Sequence, residues 1–167
     1  APRTVTFNIG TSLAFAGNGH FYEFVPSVGI PWTSAEAAAE LRTLFGLQGY
    51  LVTVTSAAEN TFVTGKLLGS GWLGATDVET NKIWKWVTGP EAGTHFFTQN
   101  QNGSGCGSGG SNVAGMYSNW SGSEPNDYNT GCANRENYGH FYGNGAWNDL
   151  PNGASISGYV VEYGGMP

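Results

Sequence analysis

The chain has 167 residues, enough for one ordinary domain with its own core. Six Lys and Arg stand against twelve Asp and Glu, a net charge of -6, which argues against a nucleic-acid partner held through its phosphates. Hydrophobic residues at 40% exclude a disordered chain, and apolar runs of only a few residues exclude membrane insertion by a helix or a retained signal peptide.

The opening residue is Ala1 rather than Met, as expected of a processed chain or of a domain cut from a longer one. Val5, Phe7 and Ile9 alternate along Thr4–Ile9, and Phe21–Val25 is a second β-branched and aromatic run bounded by Gly19 and Pro26, so both read as strands. Thr33 with Glu36 makes a capping-box pattern ahead of Ala35, Ala38, Leu41, Leu44 and Phe45, which predicts a helix from about Ser34 to Phe45. Gly46 and Gly49 stop it, and Tyr50–Val54 reads as a strand. Ser56 with Glu59 repeats the capping box before Phe62, Val63, Lys66 and Leu67, predicting a second helix that ends near Gly69. Trp72–Ala75 and Ile83–Val87 read as short buried strands, after which loops dominate. Gln101–Asn112 holds five Gly, three Ser and two Asn and reads as a flexible insertion within 94–116. Strands return at Asn137–Tyr142, Ala146–Leu150 and Gly158–Tyr163, so the order of elements predicts an α+β domain.

Several motifs fail on inspection. Gly105–Gly110 matches a dinucleotide fingerprint in letters, but no strand precedes it and no helix follows. His20, His95 and His140 show no metal-ligand spacing, and Asp127-x-Asn129-x-Gly131 meets Tyr138 where a helix-loop-helix calcium loop needs Glu. Cys106 and Cys132 permit one disulfide and no zinc site; that bridge would close about 25 residues and contribute roughly 3 kcal/mol. Together with few lysines and an acidic balance, it fits an extracellular or cell-surface setting. Asn119-Trp120-Ser121 is a glycosylation sequon.

What remains is a dense set of oxygen donors in the last third: Glu124-Pro125-Asn126-Asp127, Arg135-Glu136-Asn137 and Trp147-Asn148-Asp149. Carboxylates mixed with neutral amides suit calcium, which takes six to eight oxygens, better than a catalytic carboxylate pair. Asn and Asp are also common turn residues, which is the plain structural reading of the same set.

From Gly19 to Tyr163 the chain resembles a C-type lectin-like domain. The matching runs are ordered: His20–Phe24, Trp32 with Ala35–Leu41, Leu51–Val54 with Ser56, Glu59 and Phe62, then Trp72-Leu73-Gly74-Ala75 and Trp84-Lys85-Trp86. Tyr117–Trp120, Glu124-Pro125-Asn126, Trp147-Asn148-Asp149 and Val160-Val161-Glu162 complete the series. The resemblance implies a single domain over 1–167 with two helices flanking small antiparallel sheets and a long-loop region, residues 1–18 being an N-terminal strand extension. It also implies a principal calcium site at Glu124, Asn126, Glu136, Asn148 and Asp149, with a cis bond before Pro125. An auxiliary metal site would use Asp77, Asn81, Asp127 and Glu136, with Asn81 where the family carries Glu. The family's framework cysteines are absent, Tyr138 and Val161 standing at two of their positions, which by analogy suggests a bacterial secreted or adhesin-type member.

The function expected from the resemblance is calcium-dependent binding of carbohydrate, a cell-surface glycan or polysaccharide, without enzymatic activity. Glu then Asn in the first ligand motif goes in this family with mannose-, fucose- or glucose-type hydroxyls, and Tyr128 or Tyr142 would flank the sugar. A rival is an adhesin of the same fold whose calcium-ordered loops grip a protein or another surface such as ice. A more distant rival is a glycoside hydrolase pairing Glu124 with Glu136 or Asp149.

Overall fold

A computed structural model describes residues 14–101, 107–128 and 136–166. The strand expected at Thr4–Ile9 and both cysteines, Cys106 and Cys132, lie outside the described residues. Among those described, the elements in chain order are β1 (Phe21–Pro26), α1 (Trp32–Glu40), β2 (Thr43–Leu44), β3 (Leu47–Leu51), α2 (Ala57–Thr64) and β4 (Gly71–Thr76), followed by β5 (Ile83–Trp86), β6 (His95–Gln99), β7 (Gly110–Asn112), β8 (Tyr138–Phe141), β9 (Trp147–Leu150) and β10 (Gly158–Tyr163).

Strand β10 is the hub. It pairs antiparallel with β1 along six residues, antiparallel with β3, and parallel with β4 through Tyr159 and Trp72. From β4 the sheet runs outward through β5, β6 and β7, while β8 pairs with β4 and carries β9 as an outer partner. The two-residue period of β10 sends Tyr159, Val161 and Tyr163 into a core under α1 with Trp32, Ala35, Ala39 and Trp72. Val160 goes to the opposite core, where Val63 of α2 meets Leu73, Trp84, Trp86, Phe96, Phe141 and Trp147. Gly74 is required where β4 crosses Thr88, since a Cβ there would lie 1.9 Å from the Thr88 hydroxyl and 2.7 Å from the Leu51 carbonyl oxygen.

Several element boundaries differ from the sequence expectation. Helix α1 ends at Glu40 instead of Phe45, because Phe45 (φ 52°) and Gly46 (φ 82°) form a two-residue turn joining β2 to β3. Positive φ at both central residues is the geometry that matches strand twist in tight hairpins, and it claims residues with helical periodicity. The Thr33–Glu36 box is not used: Pro31 caps α1 without a side-chain bond, and the Thr33 N–H donates to Asn152 Oδ1 at 3.1 Å. The second box is half formed, Ser56 Oγ accepting from the Glu59 N–H at 3.2 Å, and α2 stops at Thr64 rather than near Gly69. The expected Tyr50–Val54 strand begins earlier and ends at Leu51. Strand β6 was missed, and part of the expected flexible insertion is ordered: Phe97, Thr98 and Gln99 pair with Asn112, Ser111 and Gly110. Backbone pairing with β6 makes a strand of a glycine-rich run that has no side-chain pattern of its own.

Candidate functional site

The site is built outward from Trp147. Its ring is fully buried, edge-on to Trp86 and Phe96, and its Nε1 donates to Asn60 Oδ1 at 2.9 Å. That anchor fixes the next two residues of β9, Asn148 and Asp149. The segment carrying the first motif is laid along the same strand: the Trp147 N–H donates to Asn119 O, and the Ser121 N–H to Trp147 O. The Glu124–Pro125 bond is cis. Beyond it, the N–H groups of Asn126 (3.0 Å to Oδ1) and Asp127 (2.9 Å to Oδ2) both donate to the Asp149 carboxylate.

Glu124, Asn126, Glu136 and Asn148 line one cavity of about 350 Å³, with Leu150 at its wall and Tyr128 and Tyr142 beside them. Tyr128 is 83% exposed and Tyr142 38%, so both stand at the rim. Glu136 comes from beyond the undescribed stretch, and its Oε2 accepts from the Tyr128 N–H. Asp149 is not among the lining groups but lies directly behind them, fully buried.

Glu124 Oε2, Asn126 Oδ1 and Asp127 Oδ1 are buried and accept no hydrogen bond among the described residues. Each is an acceptor, and a buried acceptor without a donor or a cation is costly. The carboxyls register the same shortage. Burial first, then the charge of Asp149, pushes Glu124 and Glu136 up to about 7, and burial pushes Asp149 itself up to about 6. Oxygen-only donors, some charged and some neutral, fit a hard cation such as calcium. Among the described residues no three His, Cys, Asp or Glu side chains form a metal cage by themselves.

His140 orients one of those amides. Its Nδ1 donates to the Phe141 carbonyl at 2.8 Å, so the hydrogen-bond pattern assigns Nε2 as the acceptor from Asn148 Nδ2 at 3.1 Å. Burial holds this ring neutral, with its pKa lowered to about 4. The Asn148 amide also donates to the Asp149 carbonyl at 2.8 Å, leaving Oδ1 as its acceptor for the cavity. The isolated position of His140 in the sequence carried no sign of this role.

The auxiliary set is arranged differently. Asp77 Oδ2 accepts from the Lys82 N–H at 2.8 Å and Oδ1 from Asn137 Nδ2 at 2.9 Å, while Asn81 is exposed. Asp127 Oδ2 takes the Lys82 ammonium at 3.3 Å. Nothing in the sequence singled out Lys82, one lysine in a polar turn.

No family model matches the chain. It is 40% identical over 166 residues to halomucin of Haloquadratum walsbyi, covering 97% of this chain and only 2% of that protein. It is 28% identical over 133 residues to a perlucin-like protein of Mytilus galloprovincialis, covering 75% of this chain and 66% of that protein. Among solved structures, the C-type lectin CEL-I from Cucumaria echinata superposes with a TM-score of 0.63 at 24% identity, covering 95% of this chain and 100% of that one. The cow C-type carbohydrate-recognition domain of CD23, solved in the presence of GlcNAc2Man3 oligosaccharide, gives the same TM-score and identity over 93% of this chain and 96% of that one. The fold is therefore the C-type lectin fold, an α+β architecture as expected.

Proposed function

We propose that this domain binds carbohydrate, at a cell surface or outside the cell, through a calcium ion held by Glu124, Asn126, Glu136, Asn148 and Asp149. The observation that carries the reading is the pair of buried oxygen acceptors, Glu124 Oε2 and Asn126 Oδ1, that have no donor among the described residues and belong to residues lining one cavity in a C-type lectin fold. The resemblance in sequence and the oligosaccharide present with the CD23 domain support the sugar half of it. When bound, calcium supplies positive charge to the cluster and open positions for two adjacent sugar hydroxyls. The chain's own groups do the rest. Glu124 and Glu136 accept hydrogen bonds from those hydroxyls, the amide group of Asn126 donates to them, Asn148 contributes its Oδ1 to the cation, and Tyr142 and Tyr128 bound the sugar's face. Mannose-, fucose- or glucose-type sugars suit the Glu124–Asn126 order. Binding rather than hydrolysis follows if Glu124, Glu136 and Asp149 hold calcium, because a carboxylate ligating a cation is a poor proton donor.

Calorimetry on chelator-treated protein tests this directly, with calcium titrated first and mannose, fucose and galactose next, each with and without calcium. Mannose or fucose should bind only with calcium, and galactose should not. Calcium affinity should fall as the buffer is taken from about pH 8 to about pH 6, because a carboxyl titrating near 7 holds a proton that calcium must displace. Calcium binding with no response to any sugar would shift the function to gripping a protein or surface, and no calcium binding would remove the reading altogether.

His140 gives a separate test. His140→Leu removes one of the two acceptors of the Asn148 amide, and calcium affinity in the same titration is expected to drop by about 10–100-fold, as for other residues that orient a ligand. An unchanged affinity would show that β9 alone orients Asn148.

A further inference from the structure

We propose that Lys82 is the resident cation of the second oxygen cluster, filling the place where the resemblance puts an auxiliary metal ion, and that it positions the segment bearing Glu124 and Asn126. Its side chain is only 4% exposed, and its ammonium lies 3.3 Å from Asp127 Oδ2, whose side chain is 1% exposed. Gln99 Nε2 approaches the same oxygen at 3.4 Å while Gln99 Oε1 accepts from Trp84 Nε1, so the pair is tied to the core through β6. The backbone closes over the ammonium on another side, since a Cβ on Gly107 would lie 2.9 Å from Lys82 Nζ. A buried ammonium requires an anion, and Asp127 supplies it.

A second metal ion does not fit beside this lysine. Both oxygens of Asp77 already accept from protein donors and Asn81 is exposed, so Asp127 Oδ1 is the one buried oxygen of Asp77, Asn81 and Asp127 without a partner among the described residues, too few for a hard cation that takes six to eight. Lys82 itself adopts a positive φ of 71°, a conformation rare for a side chain with a Cβ, and it is this turn that brings its N–H to Asp77 and its ammonium to Asp127. The consequence lies on the other side of Asp127. Its N–H and that of Asn126 are the two donors that Asp149 holds, and Tyr128 next in sequence donates to Glu136. Residues 126–128 are thus clamped from one side by Lys82 and from the other by Asp149 and Glu136, with no metal needed on the Lys82 side. The metal count rests on the calcium reading above; the clamp does not.

The test combines native mass spectrometry with amide hydrogen exchange on the whole domain. Wild-type protein should take up a single calcium ion per chain. In chelator, Lys82→Met should lower protection of the 126–128 amides by at least about tenfold, leave Leu73 and Val160 unchanged, and regain protection when calcium is added. A lysine that merely filled space would lower overall stability without this local, calcium-reversible loss. Lys82→Met with Asp127→Asn removes both charges and with them the clamp without leaving a buried charge unpaired, so it too should lower protection of the 126–128 amides in chelator by at least about tenfold, and it stands in for the single variant should that one fail to fold. Two calcium ions bound by the wild type, or unchanged 126–128 protection in the variants, would overturn the proposal. A wild type that binds no calcium would sink the proposed function, while the exchange comparison in chelator still decides the role of Lys82.

Discussion

Asp149→Asn is expected to abolish calcium-dependent sugar binding, with calcium affinity in the calorimetric titration lowered by at least about 100-fold. The size of the effect follows from two roles carried by one fully buried carboxylate. Its charge is part of what makes the cluster attractive to a cation, and both its oxygens accept the backbone N–H groups of Asn126 and Asp127. An amide in the same volume carries no charge and turns a donating NH₂ toward N–H groups that themselves need an acceptor, so the Asn126–Asp127 backbone must move. That movement takes Asn126 Oδ1 out of the set. The fold should survive, because Trp147, two residues earlier, remains locked in its aromatic cage by Trp86, Phe96 and Asn60. A melting temperature close to wild type together with lost calcium binding is the expected pair of results. Calcium affinity within about threefold of wild type would remove Asp149 from the site.

The largest expected effect on stability lies in strand β10. Glu162 is 1% exposed on β10, on the face opposite Tyr159 and Val161, where the strand pattern calls for an apolar residue. It is tolerated because four groups meet it: the His20 ring at 2.6 Å, the Tyr22 hydroxyl at 3.0 Å, and the Thr53 N–H and hydroxyl at 3.0 and 3.3 Å. Glu162→Ala takes the acceptor from the His20 ring and from the Thr53 N–H, while the Tyr22 and Thr53 hydroxyls keep Glu59 and Glu91, and it is expected to cost about 3–5 kcal/mol, the range for breaking a buried ion pair. For a domain of this size that corresponds to a melting temperature roughly 6–20 °C lower. The effect has a pH signature. The hydrogen bond to Glu162 raises the His20 pKa above its ordinary 6.5, so the stability His20 contributes is complete below that value and is lost as pH rises through the raised one. The gap between wild type and Glu162→Gln should therefore be widest near about pH 6 and narrow toward about pH 9. A gap that does not change with pH would show that the His20 charge takes no part.

How much of this could be read from the sequence depends on how local the information is. Strand β10 is legible residue for residue, because Tyr159, Val161 and Tyr163 alternate within it. The close of α1 was misread because Leu41, Leu44 and Phe45 continue a helical spacing, whereas their fate is set by a tight turn and by β3 waiting to pair with β2. Strands β6 and β7 escaped because their pairing partners, and not their composition, make them strands.

The site divides in the same way. The resemblance to a C-type lectin-like domain is what singled out Glu124, Asn126, Glu136, Asn148 and Asp149 among the many Asn and Asp of the sequence, and four of the five line one cavity. The sequence also determined the acidic charge and the α+β class, because composition and periodicity are properties of neighbours along the chain. Only the tertiary structure decided that His140 steers Asn148 and that Lys82 reaches Asp127, forty-five residues away, in a buried pair. Hydrogen bonds and ion pairs act over about 3 Å of space whatever the separation along the chain, so they leave no period and no motif to read.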